Sequence, residues 1–258
     1  MKRLLLLLAL PLCAHAASPF DGTWKPDLST GRMLKNPEVG WELKDGHFRC
    51  TVNCNNRLDD VAADGKDHPV SNYVISDHLS VTVDGDRKAT LKYMHGATPV
   101  VTCTREASAD AMHLTQSCTD YTGAAPQQYG FRMKRVGKPD PAAHKISGTW
   151  VTEQASWTGS EMPMQFESTP GGMRITQNGQ VTDAKFDGKE YPTSNDPAHT
   201  MNVLRQAGPR KIIWLQRNQG RDWGTDELVV AADGQTMTDT YTGHTDGTKT
   251  RVLLRRQP

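Results

Sequence analysis

The stretch Asp64-Gly65-Lys66-x-x-Pro69-x-Ser71-Asn72 returns 123 residues later as Asp187-Gly188-Lys189-x-x-Pro192-x-Ser194-Asn195. Upstream, Gly22-Thr23-Trp24 matches Gly148-Thr149-Trp150, and Asp60 matches Asp183. Downstream, Arg87-Lys88 matches Arg210-Lys211 and Asp110 matches Asp233. Near the ends Tyr121-Thr122-Gly123 matches Tyr241-Thr242-Gly243, and Lys134-Arg135 matches Arg255-Arg256. A period of about 120 residues is too long for one unit of a stacked array and fits a whole small domain, so the chain reads as a duplicated domain.

Within each copy the hydrophobic pattern has period two and is cut by Asp-Gly, Asn-Gly and Gly-Pro turns, which predicts short antiparallel strands almost throughout. The first copy gives strands near 22–26, 39–44, 46–52, 57–63, 73–83, 87–94, 98–106, 112–120 and 128–135. The second gives 148–154, 162–169, 172–177, 180–186, 199–207, 210–217, 224–231, 235–242 and 248–256. Many short strands with tight turns suit a closed meander, because an open sheet would expose its edges. The predicted fold is therefore all-β: two tandem antiparallel up-and-down β-barrels of eight to nine strands, 17–137 and 146–258, joined by a Pro-containing linker at 138–145. Comparing the copies puts Leu91 and Trp214 on inner faces, which leaves Ile213 and Leu215 apolar but outward, as a candidate contact between the units.

Met1-Lys2-Arg3, an apolar run to Leu12 and the small residues Ala14 and Ala16 form a secretory signal over 1–16, too short to span a bilayer. The expected destination is the periplasm or the medium. Lys and Arg number 30 against 29 Asp and Glu, with two of the basic residues in the leader. That balance argues against nucleic acid or an anionic membrane as the main partner, and no later segment has the length for membrane insertion. Cys50, Cys54, Cys103 and Cys118 remain in the exported chain, all in the first copy. An even number in an oxidising compartment points to two disulfides, and the spacing is not a usual zinc pattern. Of three connectivities the preferred one is Cys50–Cys54 with Cys103–Cys118, since a two-residue hairpin tipped at Asp110-Ala111 sets 103 opposite 118. A bulged turn would slip that register and reopen the choice.

At Gly22-x-Trp24 and Gly148-x-Trp150 the first strand of each copy resembles the opening of lipocalin-like, calycin-type barrels. The resemblance implies an indole across the closed end covered by an arginine of the last strand, here Trp24 with Arg135 and Trp150 with Arg256. The first copy is also similar to a family of uncharacterised exported bacterial proteins that open on Gly-Thr-Trp, through Gly22 to Lys25, Cys50/Cys54 and Ala63-Asp64-Gly65.

Inward aromatics Trp214, Tyr241, Trp157, Tyr93 and Trp41 are candidates for lining a pocket for a small apolar or aromatic ligand, or else for filling the barrels. The echoed Asp-Gly-Lys loop falls at the closed end, where turn formation explains it. His68, His78, His199 and His244 show no metal-ligand spacing, and Met162-Pro163-Met164 fits packing better than a soft-metal site. No cofactor or metal is expected. Nucleophile elbows and phosphate-cradling loops are missing, so no catalytic residue stands out. Glu153, Glu161, Asp222, Asp226 and Asp239 are the carboxylates that would have to meet for acid–base chemistry. The leading expectation is a non-enzymatic exported binding protein. The alternatives are a structural or protein-interaction module of the envelope with filled barrels, and, third, a carboxylate-based hydrolase or isomerase in a barrel mouth.

Overall fold

A computed structural model describes residues 18–54, 60–71, 75–158 and 162–258, with the backbone alone at 157 and 158. The expected leader, Asn72 of the echo and Glu161 lie outside the described residues. All regular elements among those described are strands. In the first half they are β1 (Gly22–Lys35), β2 (Val39–Lys44), β3 (His47–Val52), β4 (Asp60–Ala62), β5 (Asp67–Pro69), β6 (His78–Asp84), β7 (Lys88–His95), β8 (Thr98–Ala107), β9 (His113–Asp120) and β10 (Gln127–Val136). The second half repeats them as β11 (Gly148–Thr158), β12 (Met164–Thr169), β13 (Gly172–Gln177), β14 (Gln180–Lys185), β15 (Tyr191–Ser194), β16 (Met201–Gly208), β17 (Lys211–Asn218), β18 (Arg221–Val230), β19 (Thr236–Gly243) and β20 (Lys249–Arg256).

The strands form two ten-stranded antiparallel sheets, one closed into a barrel and one curled with its two ends, β4 and β5, flanking the Asp64-Gly65 turn. Ten strands replace the eight or nine expected because β5 and β15 were read as loop. Pro69 and Pro192 lack a ladder donor, yet each occupies a short pairing, with His78 and Met201 respectively. The even count lets first and last strands run antiparallel, as the pairing of β1 with β20 requires.

Each sheet takes its Gly-Thr-Trp strand from the other half of the chain. β1 lies between β12 and β20, and β11 lies between β10 and β2. Hereafter barrel 1 is β2–β11, and barrel 2 is β1 with β12–β20. The expected partners therefore exchange: Arg256 covers Trp24 at 4.3 Å and Arg135 covers Trp150 at 4.1 Å. The two motif strands are near-copies, so each fits either floor, and the connection between β1 and β2, residues 36–38, delivers the chain into the neighbouring sheet.

The two floors match atom for atom. Arg135 donates from Nε to Ala111 O, from Nη1 to Ser147 O and from Nη2 to Lys145 O; Arg256 donates to Gly234 O, Asp21 O and Pro19 O. Trp150 Nε1 donates to Ile146 O and Trp24 Nε1 to Phe20 O. Both indoles are fully buried, and Phe20 and Ile146 fill equivalent places beneath them. Thus the expected linker is part of a floor, held to barrel 1 by Lys145–Asp86 and by Ser147 Oγ accepting from Leu43 N. Gly22 and Gly148 have φ of 118° and 137°, and a Cβ at Gly148 would overlap Arg135 Nη1, so the motif glycine supplies both the backbone turn and the room for the guanidinium.

Above the floors the inner faces form two separate apolar cores. One is Phe166, Met173, Ile175, Leu204, Ile212 and Leu228 around Trp24; the other is Leu43, Phe48, Leu79, Leu91, Leu114 and Met133 around Trp150. Disulfides Cys50–Cys54 and Cys103–Cys118 form as preferred, the latter between directly opposed residues of β8 and β9. Such bridges suit an oxidising, extracellular-type environment. No helix among the described residues is long and apolar enough to cross a membrane.

Truncation Trp24→Ala should cost about 3–5 kcal/mol. Amide exchange should then accelerate in β12 and β20 while β2 and β10 keep their protection; the reverse distribution would refute the exchange of strands.

Candidate functional site

The two barrels meet mouth to mouth. Ala124 N donates to Asn178 O at 3.0 Å and Ala125 N to Asn178 Oδ1 at 3.2 Å, joining the β9–β10 turn of barrel 1 to the Asn178-Gly179 turn of barrel 2. The equivalent contact on the other side is Asn53 Nδ2 to Asp246 O at 3.2 Å. These hydrogen bonds lie at the rims, whereas Ile213 and Leu215 are half-buried on the outer face of β17. Between the rims lies a cavity of about 500 Å³ walled by both barrels. Barrel 1 contributes Ile75, Ser76, Tyr93, Val101, Cys103, Arg105, Gln116 and Tyr129. Barrel 2 contributes Ala198, Thr200, Gln216, Asn218, Gln219, Arg221, Trp223 and Thr245.

The barrel 1 wall is a stacked layer. Arg105 is buried with its guanidinium 3.7 Å above Trp41 and 5.5 Å from Phe48, and its Nε donates to Gln116 Oε1 at 2.8 Å. A guanidinium between aromatic faces gains cation–π attraction and seals the core beneath the cavity. Tyr129 meets Phe131 edge-on at 5.8 Å. Burial, with the charge of Asp120 adding to it, pushes its phenol up to about 12, so it remains a neutral donor.

The barrel 2 wall hides two acids. Gln216 on the cavity surface donates from Nε2 to Asp226 Oδ2 at 2.8 Å, and Asp226 hydrogen-bonds Asp239 on the neighbouring strand. Two carboxyl groups can share a hydrogen bond only if one holds a proton. Burial, and then the adjacent Asp239, drives the Asp226 carboxyl well above the usual range; burial pushes Asp239 up to about 6. Beside them Trp214 donates to Asn202 Oδ1 at 2.7 Å, and the Tyr241 ring packs where a Cβ on Gly224 would sit. Burial raises the Tyr241 phenol as well.

Of the five aromatic candidates, Tyr93 lines the cavity and Trp41 lies beneath it under Arg105. Trp214 belongs to the barrel 2 core, and Tyr241 flanks Asp226 across the ladder. The backbone of Trp157 pairs with Tyr129, while its side chain lies outside the described residues. Among the described carboxylates of that set, Asp226 and Asp239 converge. Asp222 is exposed and bonded to Arg217, and exposed Glu153 lies 3.9 Å from His113. His68 and His78 pair with Asp64 and Asp77, His244 with Thr225, and no cluster among the described residues could hold a metal ion. Met164 packs in the barrel 2 core. Sequence reasoning missed Arg105, Gln116, Tyr129, Gln216, Asn218, Arg221 and Trp223; of these, Gln216 carried a signal, since it lies two residues from Trp214 and so shares its inner face.

Comparison with protein-family models, with curated proteins and with solved structures returns no match for this chain.

The acid pair sets a pH dependence of stability. Its folded pKa values lie above the unfolded carboxylate value, so its contribution is complete at low pH and is lost as pH rises through about 4 to 6 and beyond. Against Asp226→Asn, the wild type should lose about 1–3 kcal/mol between pH 4 and pH 7. Urea unfolding of both proteins across that range measures it, and a constant difference would contradict the buried, shared proton.

Proposed function

We propose that the protein is an exported binding protein, periplasmic or secreted, with lipocalin-like barrels, and that its small apolar or aromatic ligand occupies the cavity between the two mouths. The observation that carries this reading is the cavity itself. Its volume of about 500 Å³ falls in the range of small-molecule sites. Tyr93, Tyr129 and Trp223 offer ring surface, while Gln116, Gln216 and Asn218 offer orienting polar groups. Packed cores below both walls leave the junction as the place for cargo, a departure from the single-barrel interior that a lipocalin-like protein would use. The signal-like leader and the two disulfides support export.

The acids favour binding over hydrolysis. Neither Asp226 nor Asp239 lines the cavity, where Gln216 stands in front of Asp226, so the pair does not present a carboxyl to a bound substrate. A protein-interaction module draws support from the packed cores and from exposed Tyr121 and Trp223 near the rims.

Native mass spectrometry of protein taken from its host should show a bound small molecule, and a fluorescent apolar probe should bind at micromolar concentration. Ala198→Trp, which fills the cavity from a loop, should weaken the probe at least tenfold with unchanged folding. Equal binding by wild type and Ala198→Trp, with no cargo in either, would favour the interaction module.

A further inference from the structure

The two halves share their floors but differ in the layer facing the cavity. Residue pairing makes Cys103 and Gln116 of barrel 1 the counterparts of Asp226 and Asp239 of barrel 2. Barrel 1 folds with neutral groups at these positions, so the architecture does not itself require the acids. Burying two carboxyls in contact opposes folding near neutrality, so their presence calls for something they meet in use.

A second, independent feature lies on the same wall. Asn218 is 5% exposed; its Nδ2 donates to Ala198 O at 2.7 Å, but its Oδ1 has no hydrogen-bond partner among the described residues. Across the cavity Ser76, 7% exposed, keeps an unpartnered Oγ, and Asp239 keeps an unpartnered Oδ1. On the barrel 2 side these acceptors are unanswered, and the Gln216 amide of that wall already serves Asp226.

Resting on the cavity-binding reading, we propose that the ligand is an amine: an aromatic or apolar body carrying a primary ammonium, with the nitrogen toward Gln216, Asn218 and the Asp226–Asp239 pair and the body against Tyr93, Tyr129 and Trp223. An ammonium brings three N–H donors and one positive charge, which match the unanswered acceptors of this wall and the shared acids behind it. On binding, the positive charge in front of Gln216 favours ionisation of the acid pair behind it, and the proton shared by the carboxyls leaves to solvent. The groups around the pair do not compete for this role. β17 presents neutral Gln216 and Trp214, β19 presents Tyr241, β20 presents apolar Val252, and Asp246 in the β19–β20 turn adds negative charge. The cations are Arg105, stacked on Trp41 and bonded to Gln116 on the opposite wall, and Arg221, exposed at the rim.

Three indoles of similar size test the proposal by titration calorimetry on the full exported chain: tryptamine, 3-methylindole and indole-3-acetate. Tryptamine should bind at least tenfold more tightly than the other two. Its affinity should rise severalfold from pH 5 to pH 7, with proton release visible as a dependence on buffer ionisation heat. Asp239→Asn should retain 3-methylindole binding, which reports an intact cavity, and lose both the tryptamine preference and its pH slope; Asp226→Asn should behave alike. Indole-3-acetate binding as tightly as tryptamine would overturn the amine and assign selection to the arginines. A pH slope unchanged in Asp239→Asn would remove the pair from the site. Failure of all three indoles to bind would instead overturn the cavity-binding reading, and the amine with it.

Discussion

An indole held under a guanidinium closes each floor, and the exchange of that indole between halves determines how everything above it is placed. The arginine is doubly committed, its face to the ring and its edge to three backbone carbonyls, so the floor tolerates little displacement. Because Trp24 serves the barrel that ends in Arg256, and Trp150 the one that ends in Arg135, neither half can seal itself with its own motif strand. Covalent linkage supplies the missing strand at high effective concentration, which is how a reciprocal exchange can be stable within one chain. The connection after β1 is only residues 36–38 before β2 begins, so that crossing strand keeps the two barrels close together. Face-to-face mouths follow from the exchange, and the cavity follows from the mouths.

The duplicated pattern is kept where it seals and abandoned where it faces the cavity. Both floors use the same Gly-x-Trp, the same arginine contacts and the same carbonyl for the indole N–H. One layer up, a disulfide and an Arg105–Gln116 pair stand on one side, and Asp226 with Tyr241 and Asp239 on the other. A disulfide across β8 and β9 pins a wall covalently, whereas the acid pair leaves its wall responsive to protons. Identical copies would have produced a symmetric cavity with the same chemistry twice. Divergence gives it one wall with a guanidinium stacked on aromatic rings and one wall backed by acids.

Much of this was legible in residues whose partners are close in sequence. Alternation of Ala89, Leu91 and Tyr93 with Lys88, Thr90 and Lys92 fixed faces, and the hairpin at Asp110-Ala111 fixed Cys103 against Cys118, because both depend on local geometry. The exchange was not legible. Trp24 and Trp150 sit in near-identical contexts, so the sequence is almost symmetric under swapping them, and only connection geometry breaks the tie. β5 and β15 escaped because Pro69 and Pro192 signal loops, although a three- or four-residue strand tolerates one missing donor. The acid pair was within reach, since Asp226 shares the inner face with Leu228 and Asp239 with Met237. What hid it was the need to know that β18 and β19 set them diagonally, two residues out of direct opposition.

A cavity built from two mouths has a property that a cavity inside one barrel lacks. Each wall is attached to its own packed core, so the separation and tilt of the walls can change at the rim contacts around Asn178 and Asn53 without disturbing either core. Those contacts are few polar bonds between turns, weak compared with the ladders on either side. A ligand that touches both walls adds contacts across the junction and so favours its closed arrangement, while the exchanged strands prevent the barrels from drifting apart when it leaves. Duplication with exchange thus yields a site that a single copy could not contain.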